Sequence, residues 1–316
     1  MIDFRYHLVS LIAVFMAIAL GIIIGTTALN EPILADIEKQ VSALEKDKRS
    51  LEDRTQQLQT QLATAEEFEQ AVAPVLVDGT LAGQSVLLVR ASEEVAPEVV
   101  EQVTTLVGEA GGTVNGAITL RPAFTDPSAE SSLQSYVTGS GRPPGIQLPE
   151  TNDTGRLVGS LMAQVLMIPP SGAAPADGAA VSSVLAGLTS LDVLSPDSDT
   201  VTPANYAVVL TAGAFTGADA AERNGTLVDL VSALDAAGSG AVVAGDAASA
   251  GENGLVGTIR ADPALSAAIS TVDNVDTVAG QVSTVLALGA ESEGTSGKYG
   301  TGEDTQPVPP VPAAAP

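Results

Sequence analysis

The chain has 316 residues, 45% of them hydrophobic, enough to bury at least one sizeable core beyond any membrane segment. Cysteine is absent, which excludes disulfide frameworks, thiolate metal sites and cysteine nucleophiles, and with 3% aromatics and no Trp the core must be built from Ala, Val and Leu. The formal net charge is −25, and 7 Lys/Arg face 27 Asp/Glu after position 70, a surface that repels phosphate backbones and argues against nucleic-acid binding.

Leu8 to Leu29 is an uncharged run of 22 residues, long enough as a helix to cross a hydrocarbon core of about 30 Å. Arg5 and the amino terminus precede it, whereas Glu31, Asp36 and Glu38 follow it before the first lysine, Lys39. Positive-inside bias therefore predicts cytoplasmic residues 1–7, a single pass over 8–29 through the cytoplasmic membrane, and a periplasmic remainder. The competing reading is a cleaved signal peptide; the apolar run is long for one, and Thr26-Thr27-Ala28 is a poor cleavage site. Ala13, Ala17, Gly21 and Gly25 recur every four residues, a spacing that lets two helix backbones approach closely, although small residues are common in any spanning helix.

Beyond the span, Leu34, Val41, Lys48, Thr55 and Leu62 share one heptad position and Ile37, Leu44, Leu51, Leu58 and Ala65 the other. This pattern predicts a coiled coil over 33–72, parallel because both helices of a homodimer leave the same membrane. Lys48 and Thr55 weaken its middle and can set register. Gly25 and Leu34 are nine residues apart, about 900° of helix, so the two seams lie half a turn apart. Either the helix breaks, with Asn30 as N-cap and Pro32 in the next first turn, or the glycine face serves a different membrane protein.

Pro74 is expected to end the rod, with Asp78-Gly79 and Gly83 leading into an exported α/β domain over 84–290. Ser85 to Arg90 and Thr113 to Leu120 read as strands around a helix from Glu94 to Glu109; strands follow at Tyr206 to Thr211 and Gly240 to Gly245. Further helices are expected at Leu157 to Ile168, Ala180 to Leu191, Leu227 to Ala236 and Thr277 to Leu288, with a loop around Arg142 to Gly145. The alternation predicts a Rossmann-like parallel sheet covered by helices on both faces. Composition assigns 291–316 to a disordered Pro/Gly/Ser-rich tail.

Such a sheet places ligands at the carboxyl ends of its strands, here the loops Arg90 to Ser92, Ala212-Gly213 and Asp246 to Gly254. None carries a glycine-rich nucleotide fingerprint, and Asp246 lacks a partner base. Asp273 is expected in a turn and Asp276 as the cap of the last helix. The single histidine, His7, sits beside Phe4 and Tyr6 as an interfacial anchor, and the methionines, Met1, Met16, Met162 and Met167, do not cluster. No catalytic, cofactor or metal residue is assigned: histidine-dependent catalysis has no exported histidine, and copper finds no cluster of its preferred soft ligands.

Two stretches carry a resemblance: IDFRYHLVSLIAVFMAIALGIIIGT at the start, and VDNVDTVAGQVSTVLALGAE followed by GKYGTG near the end. They are similar to the actinobacterial copper-transport protein family MctB, which includes the cell-separation protein SteB. The resemblance implies one of two roles. One is copper transport and homeostasis in the envelope. The other is a single-pass protein that works with a SteA-type membrane partner and engages a periplasmic peptidoglycan hydrolase through coiled-coil contact. No copper ligand is carried over from the resemblance. From the residues themselves, the expectation is a scaffold without enzymatic activity that dimerises and engages envelope partners; joined to the resemblance, it becomes one that controls a peptidoglycan hydrolase in cell separation, with the family's copper handling as the alternative.

Overall fold

The structure, a computed structural model, describes residues 4–139 and 142–310, without the side chains of 26–35 and 38. The expectations for residues 1–3, the side chain of Leu34 and residues 311–316 lie outside the described residues. The chain divides into two units, Met1–Ala65 and Glu66–Pro316.

The first unit is formed by helix α1, Phe4–Val77, which begins there and ends in the second. Phe4–Gly25 is long and apolar enough to cross a membrane. Two expectations are corrected here. The backbone is helical through Asn30 and Pro32, so the break is absent, and Pro74 does not end the helix. A proline costs one backbone hydrogen bond on its amino-terminal side, and α1 continues past Pro74 to Val77, just before Asp78 and Gly79, whose φ of 73° favours glycine.

The second unit is built on a seven-stranded sheet in the order β3-β2-β1-β4-β5-β6-β7. These are β1 (Ser85–Arg90), β2 (Thr113–Leu120), β3 (Leu194–Pro196), β4 (Tyr206–Thr211), β5 (Ala241–Gly245), β6 (Ser270–Val272) and β7 (Lys298–Tyr299). All pairings are parallel except β2 with β3, an antiparallel edge that departs from the parallel sheet expected. Pro196 is tolerated there because an edge strand leaves one row of N–H groups unpaired. Strand alternation sends Leu87, Val89, Val209 and Val243 to one face and Val86, Leu88, Val208 and Val242 to the other.

The first face packs against α3 (Glu130–Thr138), α4 (Thr154–Leu166), α5 (Gly178–Ser190), α6 (Ala220–Ala237) and α7 (Leu255–Ala261). The second packs against α2 (Pro97–Glu109), α9 (Val278–Ser292) and the end of α1, where Ala73 and Val77 are buried. The short α8 (Pro263–Ala268) precedes β6. Helix α2 starts later than Glu94 because the residue before a proline is pushed out of the helical region: Ala96 is extended and Pro97 takes the first helical position.

Residues 291–310 are a further correction. Ser292 ends α9, β7 pairs with β6, and Tyr299 is fully buried, so the segment assigned to a tail closes the sheet.

Candidate functional site

The three loops singled out by sequence converge on one cleft of about 310 Å³ at the carboxyl ends of β1, β2, β4 and β5. It lies where the chain order reverses between β1 and β4, the usual ligand position in an open parallel sheet. Asp246 is occupied: it caps the 3-10 turn Ala247–Ala250 by accepting from the Ser249 N–H at 2.9 Å, and accepts from the Gly213 N–H at 3.0 Å. It ties two loops together, and its carboxylate contacts among the described residues are backbone N–H groups.

The groups that give the cleft its charge come from elsewhere. Arg121, just after β2, pairs with Glu93 at 2.6 Å. Arg223, in the first turns of α6, lies 4.1 Å from the Phe215 ring centroid and donates from Nε to Thr125 Oγ1 at 3.2 Å. Its neighbour Asn224 is 2% exposed; Nδ2 donates to the Asn253 carbonyl at 2.7 Å, while Oδ1 has no hydrogen-bond partner among the described residues. A buried carbonyl left unpaired costs about 1–3 kcal/mol. Sequence reading missed these residues, and the signal was rarity: two of the 7 basic side chains after position 70 line this cleft.

An adjoining cavity of about 350 Å³ is acidic, lined by Asp126, Glu130, Asp153, Glu222 and Asp229. Burial pushes the Asp229 carboxyl up, Asp153 adds to the rise, and Arg156 at 3.4 Å opposes it. Asp126 is held below its ordinary value by the Ser128 N–H. Among the described residues no three His, Cys, Asp or Glu side chains are grouped to hold a metal ion.

The late acidic motif has a structural role different from the one expected. Asp273 is buried and accepts from Arg260 Nη1 at 2.6 Å, the Thr301 N–H at 2.7 Å and the Gly302 N–H at 3.1 Å. Burial pushes this carboxyl up, and those three donors more than reverse the effect, leaving it below 3.8. The cap of α9 is Thr277, whose hydroxyl accepts from the Gly280 N–H, and not Asp276: at the N-cap the hydroxyl reaches the third residue of the helix directly.

Ala13, Ala17, Gly21 and Gly25 lie on α1, with open space where a Cβ would stand at Gly21 and Gly25. The heptad side chains Ile37, Val41, Leu44, Leu51, Leu58 and Leu62 are 49–69% exposed on the single chain. Lys48 pairs with Glu52 at 3.4 Å one turn on, and Thr55 and Ala65 are exposed. His7 is exposed, and Met162 and Met167 are core residues, 0% and 1% exposed.

The family model for copper transport outer membrane protein, MctB, matches residues 1–310. The chain belongs to the MctB family. It is 32% identical over 312 residues to Copper transporter MctB of Mycobacterium tuberculosis (strain ATCC 25618 / H37Rv), covering 98% of this chain and 99% of that one. Copper transporter MctB of Mycobacterium leprae (strain TN) is 32% identical over 323 residues, covering 96% and 97%. Both segments on which the MctB resemblance rested, the apolar start and the α9 to β7 closure, fall within the matched residues.

Proposed function

We propose that this MctB-family chain serves copper homeostasis of the cell envelope as a membrane-anchored, self-associating scaffold. It would not hold the metal on soft ligands of its own. The end-to-end match to relatives named as copper transporters carries the reading. The mode of action is argued from donor chemistry. Copper favours thiolate, thioether and imidazole, and the chain after the span has no Cys, no His and two methionines locked in its core. A single spanning helix cannot enclose a water-filled pore.

The exposed heptad stripe supports a parallel coiled coil between two copies. Arg5 before the span and acidic residues after it support a cytoplasmic amino terminus with the Rossmann-like domain outside. In this reading the protein catalyses no reaction. Deleting the gene is expected to produce copper sensitivity with normal septation, rescued by a copy carrying Met162→Leu and Met167→Leu. Stoichiometric, tight Cu(I) binding by the purified chain would refute the scaffold mode.

The same stripe favours a second reading, control of cell separation with a SteA-type membrane partner and a peptidoglycan hydrolase that docks on the coil. Chained cells with ordinary copper tolerance would establish it over the first.

A further inference from the structure

We infer that the cleft at the carboxyl ends of β1, β2, β4 and β5 binds a small zwitterion of the amino acid or short-peptide class. Its charges divide into a pair that satisfies itself and two that remain. Arg121 and Glu93 neutralise each other at 2.6 Å. Arg223 makes no salt bridge within 4 Å among the described residues; it rests on the Phe215 ring and Thr125, and although Asp126 lies near enough to feel its charge, its two outer nitrogens donate to no described residue. Glu94 likewise makes no ion pair among the described residues.

Gly213 makes room for that carboxylate. Its φ of 70° favours glycine, and a Cβ there would stand 2.8 Å from Glu94 Oε2. The Asp246 carboxylate holds the Gly213 N–H, so the loop that accommodates Glu94 is fixed. Asn224 supplies an observation independent of charge: a lining side chain 98% buried with an unpartnered acceptor, Oδ1, on the helix turn that carries Arg223.

One anion seat and one cation seat suit a molecule with a carboxylate at one end and an ammonium at the other. The carboxylate accepts from the outer nitrogens of Arg223; the ammonium donates to Glu94, which is exposed at the mouth of the cleft. The volume is at the small end of ligand pockets, which span about 300–1,000 Å³, and suits one or two residues better than a nucleotide. This inference does not depend on the copper reading, since no metal takes part.

The test is calorimetric titration of the detergent-solubilised full chain with L-alanine, L-leucine and L-alanyl-L-alanine. The controls are N-acetyl-L-alanine, which lacks the ammonium, alanine methyl ester, which lacks the carboxylate, and acetate. Saturable binding of at least one zwitterion, with each control weaker by about tenfold or more, is expected. Glu94→Gln and Arg223→Gln should each weaken it by a similar factor, Glu94→Gln without lowering the melting temperature of the free protein and Arg223→Gln with a small fall from the lost Phe215 and Thr125 contacts. Acetate binding as tightly as the amino acids would reduce the cleft to a simple anion seat and overturn the inference. Failure of all three zwitterions to bind at millimolar concentration would overturn it, as would undiminished binding by both folded variants. The blocked ligands decide the question even if a variant does not fold.

Discussion

Replacing Arg260 by Met removes the centre of the carboxy-terminal closure. Arg260 donates to Asp273 Oδ2 at 2.6 Å, Thr271 Oγ1 at 2.9 Å and the Tyr299 carbonyl at 2.8 Å, and its side chain is 11% exposed. Its loss strands a carboxylate whose side chain is 2% exposed. Removing one partner of a buried pair costs about 3–5 kcal/mol. The Thr301 and Gly302 N–H groups still reach Asp273, so the lower end, about 3 kcal/mol, is expected. That is a large part of a total stability of about 5–15 kcal/mol, and with a urea slope of about 3 kcal/mol/M the midpoint falls by about 1 M. Urea titration of the full chain in detergent followed by circular dichroism measures the loss. Hydrogen exchange over residues 298–306 should accelerate first, because β7 is held to β6 next to this pair. Since Asp273 is depressed below 3.8, its contribution is present above that pH and disappears as pH falls through the lower folded value, so the variant's penalty should shrink in acid. A loss below about 1 kcal/mol with unchanged exchange would refute the argument that this pair closes the domain.

Three further outcomes are expected. Cysteines introduced at Gly25 and at Val41 should separate the two α1 faces: self-crosslinking at Val41 alone supports a glycine face free for another membrane protein, and self-crosslinking at both sites eliminates that version. Gly280→Ala should cost about 1–3 kcal/mol in a urea titration, because a Cβ there runs into the backbone carbonyl of Asn274. Burial pushes Glu291 above 4.5 although the Ser270 N–H opposes it, so the folded chain holds that proton more tightly and stability from this group falls as pH rises from 4.5 through the raised value. Glu291→Gln should flatten that fall in melting temperature measured across the same range.

The apolar start and the central strands were legible because each carries its period within one segment. Ser85–Arg90 and Tyr206–Thr211 are buried on both faces and read as continuous apolar runs. Elements that depend on distant partners were not legible. Leu194–Pro196, Ser270–Val272 and Lys298–Tyr299 are two or three residues each, too short for a period, and exist because a longer strand or a neighbour offers them hydrogen bonds. Composition misassigned the stretch after Glu291 because glycine and serine there meet tight packing: Gly300 and Gly302 lie against the Asp273 carboxylate, where a side chain would collide. In the cleft the loops were foreseeable from strand ends, but Arg223 and Asn224 sit on a helix whose start preceded the predicted one at Leu227.

The late resemblance segment therefore reports on closure of the sheet more than on a task. Thr277 caps α9, Gly280 permits its approach to Asn274, and Asp273 fastens the strand that follows, so closing the domain gives each of these residues a structural reason. Two chains could share that segment while doing different work. Discrimination between copper handling and cell separation must come from groups the fold does not need, such as the exposed heptad side chains of α1. Exposed apolar residues at that spacing belong to no core of the single chain, so loss of both self-association and function on replacing Leu51 and Leu58 by Lys, with an unchanged melting temperature of the α/β domain, would assign the role to the stripe.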